Sequence, residues 1–80
     1  MELNKRQEEN IVKLMASQND QDFNLAYKIA LELKLSENDY EKLVNEANKL
    51  IPSGHKLWPV EQCKLFYKID LDKLKTENNG

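Results

Sequence analysis

The stretch from Leu35 to Gly54 carries both ends of a helix and an apolar repeat between them, and it limits the possible folds more than any other part of the chain. Ser36 is a strong N-cap residue with Asp39 three positions on, and Leu35 and Tyr40 occupy the two positions of a hydrophobic staple. Tyr40, Leu43, Val44, Ala47, Leu50 and Ile51 then recur at the spacing of one helical face. Pro52-Ser53-Gly54 stops the ladder, because proline cannot continue it and glycine takes a left-handed conformation freely. A helix over 37–51 with one apolar face must bury that face, so Leu43, Val44, Ala47 and Leu50 are predicted core residues.

The segments on either side follow the same logic. Asn4-Lys5-Arg6-Gln7 has the form of a capping box, and Ile11, Val12, Leu14, Met15 and Ala16 follow it, which predicts a first helix over 5–16. Its first half, through Glu8 and Glu9, is almost wholly polar and is expected to face solvent or something outside the chain. Ser17-Gln18-Asn19-Asp20 is a turn and cap run, with Asp20 and Asp22 at the positive end of the next helix dipole. Phe23, Ala26, Tyr27, Ala30 and Leu33, widened by Leu25, Ile29 and Leu31, predict a helix over 21–35 that is apolar around most of its girth and lies at the centre of the fold.

After the loop His55-Lys56-Leu57-Trp58, Pro59 is suited to open a fourth helix. From Lys64 two periodicities compete. Leu65, Tyr67, Ile69 and Leu71 alternate with mostly polar residues like a strand, whereas Val60, Cys63, Tyr67, Leu71 and Leu74 fit a helix. A lone strand has no partner in a chain that is otherwise helical, so helix over 59–74 is the expectation. The sequence therefore predicts one all-α domain over 1–75, a compact four-helix unit with helices near 5–16, 21–35, 37–51 and 59–74. Residues 76–80 have little to bury and are expected to be a disordered tail.

Several function classes fit poorly with these 80 residues. A chain this short buries only about 60–65% of the surface its unfolded form exposes, which leaves little room for a deep enclosed site. One His and one Cys, His55 and Cys63, are too few for a structural zinc site, so no metal site is expected. Cys63 reads as a small apolar residue on the inner side of the fourth helix, not as a nucleophile with His55 as its base. The two glycines, Gly54 and Gly80, do not make a phosphate-binding loop, and no cofactor is expected. No enzymatic activity is expected.

With 12 basic and 14 acidic residues, and Arg6 the only arginine, the inventory is poor for phosphate recognition and argues against nucleic acid. A single cysteine suits a reducing compartment, and no apolar run approaches the ~20 residues of a membrane span. The chain is thus expected to be cytoplasmic, with no membrane partner.

Two resemblances to known families are present. Leu14, Met15, Ser17, Asp20, Phe23, Ala26, Ala30 and Leu33, within 11–35, resemble one unit of a HEAT-type helical repeat, whose members are generally scaffolds and interaction surfaces. No second copy of the pattern is visible in the chain. Ala30, Leu33, Leu35, Ser36, Tyr40 and Leu43, within 26–45, resemble a helix-turn-helix, which implies a DNA-binding transcriptional regulator as the alternative function. Lys34 stands where that family usually has a turn glycine, and the outward face of the second helix would carry Glu37, Asn38, Glu41, Lys42 and Asn45, with Asp39 nearby.

The last informative feature is an apolar surplus. Leu57, Trp58, Leu65, Phe66, Tyr67 and Ile69 exceed what one face of a short helix can bury. Either Trp58 folds over the third helix and completes the core, or part of this surface is an aromatic anchor for another chain. The functional expectation is a small interaction or adaptor module whose partner-binding residues are Trp58, Phe66 and Tyr67, the partner being another protein or a second copy in a homodimer.

Overall fold

The computed structural model describes residues 4–79, with side chains as far as Thr76. Among the described residues four helices follow one another: α1 (Lys5–Ala16), α2 (Asp20–Glu32), α3 (Glu37–Leu50) and α4 (Val60–Asn79). The N-caps are those the sequence advertises. The Asn4 side chain accepts from Gln7 N at 2.8 Å while Gln7 answers on Asn4 N, which closes the capping box. Asn19 accepts from the amides of Gln21 and Asp22, and Ser36 Oγ accepts from Asp39 N at 3.1 Å. Leu35 and Tyr40, the staple pair, are both buried.

The turn between α2 and α3 closes tighter than the periodicity suggested. α2 stops at Glu32, not near 35, because Lys34 takes a left-handed φ of 54°. Leu35 N then bonds back to Ala30 O and Lys34 N to Leu31 O, the pairing of a Schellman ending, which turns Leu35 into the core. Position 34 thus performs the turn that a glycine usually performs, with lysine in its place.

Segment 64–72 is helical, as expected. α4 also runs past the 74 boundary. Thr76, expected in the disordered tail, belongs to the helix, and its hydroxyl donates to Asp72 O at 3.0 Å. The side chains of 77–79 and all of Gly80 lie outside the described residues.

Two expectations about the core are corrected. α2 is not the central helix: of its residues only Ala26 and Ala30 are fully buried, Phe23, Tyr27 and Ile29 are half-buried, and Leu25 is exposed. The helix with the most buried residues is α3, which packs against α1 and α4 and buries Tyr40, Leu43, Val44 and Ala47. Leu50, predicted as core, is 61% exposed, because the helix ends there and the buried position passes to Ile51 at its C-cap. Leu43→Ala is therefore expected to cost about 2–4 kcal/mol through the cavity it leaves. Leu50→Ala is expected to cost no more than about 0.5 kcal/mol. Chemical denaturation of the two variants checks the pair, and equal losses would contradict this placement of α3.

The loop between α3 and α4 is tied down by side chains from elsewhere. Asn48 reads both backbone groups of Trp58: its carbonyl oxygen accepts from Trp58 N at 2.9 Å and its amide donates to Trp58 O at 3.1 Å. Trp58 Nε1 donates to Met15 O at 2.6 Å at the end of α1, and the indole lies over the Phe23 ring with centroids 4.0 Å apart. Gln18, left-handed at φ 61°, donates to Lys56 O. Gly54, at φ 91°, supplies the turn that starts this loop.

Candidate interaction surface

The three aromatic residues expected to bind a partner do not share a surface. Phe66 and Tyr67 are neighbours in sequence, but one residue is about 100° of helical rotation, so they point to different sides of α4. Tyr67 points inward and is fully buried. Its hydroxyl lies 2.7 Å from Leu35 O and 3.1 Å from Ala30 O, the two carbonyls at the tight α2–α3 turn. Its ring stacks on Tyr40, with centroids 4.1 Å apart and planes 4° from parallel. Tyr27 meets both rings edge-on and donates its hydroxyl to Asp70. All three tyrosines of the chain thus form one cluster joining α2, α3 and α4. Tyr67 is a core residue and is removed from the candidate surface.

Trp58 is half-buried and occupied by its contacts with Phe23 and Met15 O, which closes the loop onto the α1–α2 end of the molecule. Phe66 faces the other way and is 61% exposed. The outward half of α4 also carries Leu65 at 56% and Ile69 at 43% exposed, with Ile69 one turn from Leu65 at i+4 and from Phe66 at i+3. Leu65 and Ile69 were not among the expected partner-binding residues. Once Tyr67 and Leu71 are placed inward, however, the 3.6-residue period places Leu65, Phe66 and Ile69 together outward.

Charge frames this patch. Lys64, on the α3 side of α4, bridges Glu41 at 2.7 Å and Glu37 at 3.7 Å. The bond to Glu41 holds its ammonium above the usual lysine value. Two of the acids on α3 are therefore engaged within the molecule.

The possible chemical groups lie apart from any shared site. His55 is an exposed loop residue, and Cys63 is half-buried against the core, where burial raises its thiol pKa. Burial therefore disfavours the thiolate that a nucleophile needs. Two larger open clefts mark the described surface, beside a smaller one lined by Leu57 and Trp58. One, of about 470 Å³, lies between α2 and α4 with Leu31 and Leu74 among lysines 28, 34 and 73. The other, of about 530 Å³, lies between α1 and α3 beside Val12 and Leu50. Neither contains His55 or Cys63. Among the described residues no group of three or more His, Cys, Asp or Glu is placed to hold a metal ion, and no helix is long and apolar enough to cross a membrane.

No protein-family model, curated protein or solved structure matches the chain.

Proposed function

We propose that this chain is a small non-catalytic protein-interaction module, working in the cytoplasm, whose docking face is the outward side of α4. The observation that carries this is the exposed trio Leu65, Phe66 and Ile69 on one face of a helix whose opposite face is anchored by Tyr67 and Leu71. The buried core, with Ile11, Met15, Tyr40, Leu43, Val44 and Tyr67 as its largest members, does not include them. Keeping three large apolar groups in water therefore favours a role for them in contact with another surface.

A photo-reactive phenylalanine analogue at position 66, in cells that make the protein, tests this reading. Covalent adducts to a second polypeptide are expected at position 66 and not at Lys42, which is exposed on α3. Equal labelling at the two positions would remove the support for this face.

Under this reading the α2–α3 pair is a packing unit and not a DNA reader. The exposed side of α3 presents Asn38, Asp39 and Lys42, and Glu37 and Glu41 are bridged to Lys64. A surface of this charge gains little from phosphate neutralisation. No retardation of duplex DNA is expected in a gel-shift titration at about 50 mM salt, a condition that favours even nonspecific contacts. A salt-sensitive complex would promote the regulator alternative instead.

A further inference from the structure

Exposure along α4 repeats every seven residues. Positions 61, 62, 65 and 66 are exposed, then 68, 69, 72 and 73, then 75 and 76, and every residue between them is buried or half-buried. A seven-residue repeat is the period at which one helix lies continuously along another, with the residues at 62, 65, 69, 72 and 76 on the seam and their neighbours flanking it. The residues that anchor α4 to its own domain, Tyr67 and Leu71, lie on the opposite side. Two copies could therefore meet along this seam with their bodies held apart.

We infer that the occupant of the α4 face is α4 of a second copy, packed antiparallel about a two-fold axis near residue 67. This rests on the proposal that the face is a docking surface and names what covers it. In the antiparallel register Leu65 meets Ile69 of the second copy, and Ile69 meets Leu65. Gln62 faces Asp72, whose carboxylate accepts from the amide, and the two Phe66 rings lie beside the axis. On the flank, Glu61 faces Lys75 of the second copy twice over. The only like-charge pair is Lys68 with its own mate, and both are exposed to solvent.

The parallel register has the reverse balance. It sets Lys68 against Lys73 twice and forms no attractive flanking pair. Charge therefore selects the antiparallel arrangement. A helix of 20 residues is about 30 Å long and offers three large apolar side chains, so the contact falls near or below the ~1,200 Å² of stable interfaces. The dimer is accordingly weak and forms reversibly with concentration.

Sedimentation of the full chain over a wide concentration range tests this, with circular dichroism confirming that each variant stays folded. The wild-type protein is expected to shift from monomer toward dimer. Ile69→Glu should raise the dissociation constant at least tenfold. Glu61→Lys and Lys75→Glu should each weaken the dimer several-fold, and the double variant should recover most of the wild-type affinity, since it restores the opposite-charge pairs. A protein that stays monomeric throughout overturns the inference, and so does a dimer indifferent to Ile69→Glu or without recovery in the double variant. Monomeric sedimentation together with adducts to a different polypeptide at position 66 would sink self-pairing and leave the broader interaction reading standing. Absence of adducts would sink that reading itself.

Discussion

Tyr67→Ala is expected to unfold the domain. The side chain is fully buried, stacks on Tyr40, meets Tyr27 edge-on and places its hydroxyl on the carbonyls of Leu35 and Ala30. Truncating a buried aromatic residue costs about 3–5 kcal/mol in cavity and lost contacts, and here the variant also removes the partner of Leu35 O. Against the small net stability of a domain this size, such a loss leaves little folded protein at room temperature. Tyr67→Phe keeps the ring and loses only the hydroxyl, for an expected cost of about 1–2 kcal/mol. Thermal and urea melts of the two variants measure the difference. A Tyr67→Ala protein that melts like the wild type would mean that α4 is not held to the α2–α3 turn in this way.

Alkali should unfold the protein more steeply than its size alone would suggest. Burial, followed by the nearby Asp39 charge, raises the Tyr67 pKa to about 12. Tyr40 is raised as well, chiefly by burial and then by Cys63, and its buried hydroxyl has no hydrogen-bond partner among the described residues. Tyr27 is raised by its own burial and by Asp70. A phenol in the unfolded chain ionises near pH 10, whereas these phenols keep their protons in the folded state. Their contribution is therefore whole below about pH 10 and is lost as the pH rises from there toward 12. Tyr67 alone loses roughly 2–3 kcal/mol across that interval. Tyrosinate absorbance and helical circular dichroism should change together in one cooperative step. If the tyrosines ionise one by one near pH 10 with helicity intact, the cluster is open to solvent and the packing of α4 described above is wrong.

The folding role of Tyr67 and the docking role proposed for Phe66 fall on adjacent residues, one buried and one exposed. Phe66 can be altered with little expected effect on stability, whereas its neighbour Tyr67 cannot. A scan that treats the aromatic residues of 58–67 as one patch would average these opposite effects. Trp58 behaves as a third case, since it closes the loop onto α1 and α2 through Met15 O and Phe23.

The amino-acid sequence alone determined the local architecture. Asn4 with Gln7 and Ser36 with Asp39 place two helix starts, the run 17–20 places a third to within one residue, and Pro52 with Gly54 marks the end of α3. These signals are legible because a cap or a breaker acts within three or four residues, where no tertiary partner is needed. The amphipathic repeat of α3 likewise named Leu43, Val44 and Ala47 as core correctly, because one face at fixed spacing must turn inward whatever it meets.

What the sequence left open was decided by packing between elements distant in the chain. Periodicity alone made α2 look central, because it counts apolar residues and not the neighbours that cover them; two alanines are its only fully buried residues, and Leu25 remains in water. The rotation of α4 was ambiguous because both sides carry large apolar groups. It was decided by Tyr67 reaching the carbonyls of Ala30 and Leu35, a contact across more than thirty positions. Once that hydroxyl is seated, Leu71 follows it inward and Leu65, Phe66 and Ile69 have no course but outward, since a rigid helix rotates all its side chains together.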